Sequence, residues 1–94
     1  MHFLYIIYSK KLDKYYVGET VDLEERVLQH NTKHYKSSFT SSTSDWILKL
    51  SFQTINRTDA LFLETFIKRM KSRKFIEKII DNSTILSDLL KNRG

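Results

Sequence analysis

The strongest constraint on the fold of this sequence is a pair of short segments near its start. Residues 2–8 (HFLYIIY) alternate between faces and are rich in aromatic and β-branched types, the pattern of a strand. Residues 9–14 are polar and read as a turn. Residues 15–20 (YYVGET) supply a second strand, so the two form a hairpin. Gly18 lies inside that second strand, where glycine costs stability, so it signals a close approach to the backbone at that point.

Asp22 with Glu25 three residues later is a capping-box pattern. It predicts a helix running to Asn31, with Leu23, Val27 and His30 on one face and Arg26 on that same face. Residues 32–45 are polar and Ser/Thr-rich, with His34, Tyr35, Lys36 and Phe39 interspersed, and read as a long loop. Residues 46–54 alternate Leu48, Leu50 and Phe52 against Lys49, Ser51 and Gln53, which predicts a third strand with one wet face. Polar residues 56–58 cap a helix to Lys71, whose apolar residues are Ala60, Leu61, Leu63, Phe66, Ile67 and Met70. A break near Ser72 separates it from a helix carrying Phe75, Ile76, Ile79 and Ile80. Ser83 and Thr84 then cap a last short helix with Ile85, Leu86, Leu89 and Leu90 inward. The expected fold is α+β: a three-stranded, mostly antiparallel sheet flanked by helices in the order ββαβαα. With 94 residues the chain has room for one domain, residues 1–94, and one modest core.

Charge narrows the function. The net charge is +5 and the isoelectric point about 9.5, which favours polyanionic partners, nucleic acid first among them. No segment is long enough to span a bilayer. The opening apolar run is too short for a signal peptide and lacks a basic start, so a cytoplasmic location is expected. The absence of cysteine excludes a disulfide framework, a thiolate nucleophile and a zinc ribbon.

Several side chains stand out against this background. Tyr5 and Tyr16 sit on adjacent strands and can face each other, although aromatic pairs also stabilise sheets without further function. Arg26 on an apolar helix face calls for an anion or a snorkelling pose, and His30 lies one turn beyond it. Glu64 falls beside the buried stripe of its helix, where a carboxylate needs either a salt bridge, to an arginine such as Arg26, or a metal ion. The run Lys68, Arg69, Lys71, Arg73 and Lys74, with Lys33 and Lys36 in the loop, forms either a solvated surface or a set of DNA phosphate contacts.

In order and spacing, Phe3-Leu4-Tyr5, Tyr16-Val17-Gly18, Asp22-Leu23-Glu24-Glu25-Arg26, Gln29-His30-Asn31 and Glu64 followed by Ile67-Lys68 resemble the GIY-YIG nuclease superfamily. The resemblance is to small stand-alone members related to the nuclease domain of the bacterial excision-repair incision subunit. It covers about residues 3–80. It implies a metal-dependent DNA endonuclease with one Mg²⁺ or Mn²⁺ ion held by Glu64, and because a domain this small can contact few base edges, selectivity for DNA structure rather than sequence is expected. Tyr5 and Tyr16 would be the paired motif tyrosines, with Tyr16 favoured as the base. Arg26 would stabilise phosphate charge, His30 would relay protons, and Gly18 would let the scissile backbone come close. Two departures stand out. Phe3-Leu4-Tyr5 replaces Gly-Ile-Tyr, and Glu19 stands where the repair branch tends to carry lysine. An acid there repels phosphate, so the alternative is a non-cleaving DNA-binding module of the same fold. A domain this small can also borrow specificity from a protein partner or a homodimer.

Overall fold

The computed structural model describes residues 1–32 and 43–93. Lys33 and Lys36, and most of the expected 32–45 loop, lie outside the described residues. The strands are β1 (His2–Ser9), β2 (Lys14–Thr20) and β3 (Ile47–Thr54). The helices are α1 (Leu23–Asn31), α2 (Arg57–Met70), α3 (Arg73–Asp81) and α4 (Thr84–Asn92). The α+β class and the hairpin are as expected. Among the described residues three helices follow β3, one more than the ββαβαα order has, although the periodicity of residues 83–90 already implied the last.

The sheet order is β2-β1-β3, antiparallel throughout. Central β1 is covered on both sides, which explains its unbroken run of apolar residues. Leu4 and Ile6 pack with Val17 against Leu63 and Ile67 of α2, Ile79 of α3 and Leu86 of α4. Tyr5 and Ile7 face the other way, with Trp46, and meet Leu23 and Val27 of α1. The helices therefore sandwich the sheet, α1 on one side and the other three on the opposite side.

β3 departs from simple alternation. Ile6 pairs with Leu50 but Ile7 pairs with Leu48, so Lys49 is an extra residue at a bulge. Leu50 and Phe52 stay on the α2 side. Leu48 is turned to the α1 side, where it shares a crevice with Leu23 and Val27. The expectation that Leu48, Leu50 and Phe52 share one face is corrected by that one inserted residue.

The helix starts also differ in detail from the sequence patterns. Asp22 caps α1 by accepting from the Glu25 N–H at 3.1 Å. The reciprocal half of the capping box does not form: the Asp22 N–H donates to Thr20 Oγ1, and Glu25 accepts from Gln29. Asn56 caps α2 through the Asp59 N–H at 2.8 Å. At α4 the expected Ser83 cap is replaced by Asn82, whose Oδ1 accepts from both the N–H and the hydroxyl of Thr84. On α2, Leu61 and Met70 are exposed rather than buried.

Asp45 ties the hairpin turn to the start of β3. Its carboxylate accepts from the Ser9 hydroxyl at 2.6 Å, the Lys11 N–H at 2.9 Å and the Thr43 hydroxyl at 2.7 Å. Asn31 and Trp46 exchange two hydrogen bonds, at 2.7 and 2.9 Å, and so anchor the end of α1 beside β3. Among the described residues, no helix is long and apolar enough to cross a membrane.

Candidate active site

Tyr5 lies in the middle of β1, 1% exposed, and its register partner on β2 is Gly18. The close approach expected at Gly18 comes from within the chain. A Cβ built there falls 2.6 Å from the Tyr5 hydroxyl oxygen and 2.7 Å from its Cζ, so the phenol lies across the glycine. Tyr16 pairs with Ile7, two residues along. The two tyrosines are therefore diagonal neighbours on one face, with ring centroids 6.4 Å apart.

α1 brings two more groups to them. His30 is wholly buried, and its Nε2 shares a hydrogen bond with the Tyr5 hydroxyl at 2.9 Å. Its ring lies 5.0 Å from that of Tyr16. Burial, helped by the nearby Arg26 guanidinium, pushes the imidazole down to about 4. His30 is therefore neutral at neutral pH.

α2 completes the site from the other side of the sheet. This is possible because β2 is an edge strand, so α2 side chains can reach past it. Tyr5, Tyr16, Gly18, Glu19, Arg26, Arg57, Leu61 and Glu64 line one cleft of about 360 Å³. Glu64 is an accessible carboxylate in this cleft, its side chain 20% exposed. It pairs with Lys68, one turn along its own helix, at 2.7 Å. The salt bridge weighed for Glu64 thus forms with a half-exposed lysine. The same ammonium lies over the Tyr16 ring, 5.4 Å from its centroid.

Glu19 also faces the cleft, and its charge is offset by Arg57 at 3.4 Å. Arg57 and Leu61 were not singled out in the sequence. Their signal was the spacing 57, 61, 64 and 68, which places all four side chains on one helical face.

The expected phosphate contacts divide into two kinds. Lys68 meets the cleft through its pair with Glu64, and Arg69, Lys71 and Lys74 are exposed near the end of α2 and the start of α3. Arg73 has a structural tie instead. It donates to the Asp13 carboxylate at 2.7 Å and to the Asp13 carbonyl at 3.0 Å, pairs with Glu77, and lies over the rings of Tyr8 and Tyr15. These contacts raise its already high pKa and fasten α3 to the hairpin turn.

The GIY-YIG catalytic domain model matches residues 1–78. The chain belongs to the GIY-YIG nuclease superfamily. No curated protein and no solved structure matches it. GIY-YIG catalytic domains are in general those of endonucleases, and the substrate such a domain implies is DNA. The match ends within α3, yet Leu86 of α4 is fully buried in the core shared with the GIY-YIG portion.

Proposed function

We propose that this chain is itself a DNA endonuclease that hydrolyses phosphodiester bonds with one divalent cation, Mg²⁺ or Mn²⁺, held by Glu64. The observation that carries the reading is the shared cleft: Tyr5, Tyr16, Arg26 and Glu64, distant in sequence, line one space. The donor set fits such an ion. Among the described residues no group of three or more His, Cys, Asp or Glu side chains could enclose a metal. An open cleft with one carboxylate, and Glu19 as a second acid, suits a cation that keeps most of its waters and takes oxygen from substrate. Lys68 is half exposed and can move aside. When bound, the cation supplies positive charge for the phosphate and makes water more acidic.

The chain's own groups account for the remaining work. Arg26 presents forked donors to the phosphate oxygens as negative charge grows there. Tyr16, half-buried and reachable from the cleft, takes the proton of the attacking water as its phenolate, its own proton having first gone to solvent, and solvent water protonates the departing strand oxygen. Tyr5, locked between Gly18 and His30, fixes the position of that water. Neutral His30 holds the Tyr5 hydroxyl in place. Cleavage of nicked, branched and plain duplex DNA in Mg²⁺ or Mn²⁺ tests this, with branched substrates cut best. Glu64→Gln and Arg26→Ala should each abolish it. Persistent inactivity on all substrates would sink the reading.

Glu19 favours one second reading. An acid in the cleft works against phosphate, so a DNA-binding module that does not cut remains the alternative. DNA binding without cleavage, unchanged by Glu64→Gln and by metal, would establish it.

A further inference from the structure

A second groove, of about 410 Å³, adjoins the cleft and shares Tyr16 with it. It runs between the edge strand β2 and the junction of α2 with α3. Val17, Ile67 and Ile76 form its apolar floor, and the rings of Tyr15 and Tyr16 line it. Lys14, Lys68 and Lys71 stand around it. The acid in its lining, Asp13, is already paired with Arg73.

An apolar slot with aromatic sides and a ring of cations matches one kind of ligand well. A nucleotide has a flat base that stacks on aromatic rings and a phosphate that seeks ammonium groups. Lys68 links the two spaces, since it borders the groove and pairs with Glu64 in the cleft. A base in an intact duplex is stacked on its neighbours and cannot enter such a slot; an unpaired one can.

We propose that this groove binds the base of an unpaired DNA nucleotide next to the phosphate held in the active-site cleft. The inference rests on the endonuclease reading and gives its preference for DNA structure a physical seat. The preference then comes from which strands can offer a base, without any reading of base edges.

The test uses the full chain, isotopically labelled, in EDTA so that no strand is cut. A 5′-phosphorylated thymidine dinucleotide is titrated in, followed by the same backbone lacking the bases. The expected result is that signals of Val17, Ile67 and Ile76 shift with the dinucleotide and stay still with the abasic backbone. The abasic compound should bind about tenfold more weakly, the scale of one base–aromatic stack.

Lys71→Gly supplies a control against unfolding. Lys71 ends α2 in the left-handed region, φ 48°, where glycine is more comfortable. The variant should be at least as stable as the parent yet bind the dinucleotide about threefold more weakly, through the lost phosphate contact. Equal binding of the dinucleotide and the abasic backbone overturns the proposal. So does a response confined to Arg26 and Glu64 with the groove silent, and that result leaves the endonuclease reading standing. Silence in both places overturns the proposal as well, and the cleavage assay then decides the broader reading by itself.

Discussion

The Tyr5 hydroxyl and His30 Nε2 are 2.9 Å apart in a site where both side chains are almost wholly buried. An imidazole kept dry and close to a guanidinium resists protonation, and its pKa falls to about 4. In the unfolded chain it returns to the ordinary 6.5. The unfolded state therefore binds the proton more readily between these two values. The stability that neutral His30 provides is complete above pH 6.5 and is lost as the pH falls toward about 4. The loss should be on the order of 3 kcal/mol. Urea unfolding at several pH values checks it, and His30→Gln should flatten the slope in that window. A slope unchanged by the substitution would assign the acid sensitivity to other groups.

Gly18→Ala places a methyl group 2.6 Å from the Tyr5 oxygen and 2.7 Å from Cζ. Overpacking of this kind costs about 1–3 kcal/mol. Tyr5→Phe should not rescue it, because the ring carbon is as close as the hydroxyl. Tyr5→Leu should, since the shorter side chain vacates that space. A double-mutant cycle between Gly18→Ala and Tyr5→Leu should show coupling of about 1 kcal/mol, whereas additive effects would mean the strand shifts to absorb the methyl group.

These two cases show what the sequence made legible. Strand and helix periods located every element among the described residues, because burial on a face leaves a repeat of 2 or 3.6 in the chain. Tyr5, Tyr16, Arg26 and Glu64 were legible as a set through family spacing, and they do line one cleft. Other relationships leave no local trace. A bulge at Lys49 turns Leu48 over, and period-2 reasoning cannot foresee an inserted residue. Arg73 looked like any other member of a basic run. Its partner Asp13 lies 60 positions earlier, and only the docking of α3 on the hairpin turn joins them. Gly18 correctly signalled a close approach, but a glycine in a strand does not say which group approaches.

Asp45 supplies a second, separate acid transition. The Ser9 hydroxyl, the Lys11 N–H and the Thr43 hydroxyl all donate to its carboxylate and hold its pKa down to about 2. Its contribution to stability is therefore present above the ordinary value of 3.8 and is lost as the pH falls from there toward 2. This window lies below that of His30. The acid unfolding profile should show two regions of slope, and Asp45→Asn should make only the lower one shallower while loosening the hairpin turn, the rest of that slope belonging to Asp13, which Arg73 also holds below its ordinary value. Carboxyl-carbon NMR titration gives the direct check: an Asp45 midpoint near the ordinary value would mean that the three donors are not held in solution.

Lys68 occupies the position in which its effect on metal binding and its effect on DNA binding have opposite signs. Its ammonium, 2.7 Å from Glu64, neutralises the carboxylate that a cation would need, and it is half exposed, so solvent weakens the pair. Lys68→Met should raise the affinity of the DNA-free protein for Mn²⁺ by about twofold to fivefold, the range of an exposed ion pair. Calorimetry measures this directly, and Glu64→Gln should remove the binding altogether. The same Lys68→Met variant should bind DNA more weakly, with the salt dependence of duplex binding reduced by about 0.9 in log–log slope for one lost phosphate contact. If Lys68→Met weakened Mn²⁺ binding instead, the lysine would be supporting the cation site, and the picture of an ammonium displaced by the incoming ion would have to be abandoned.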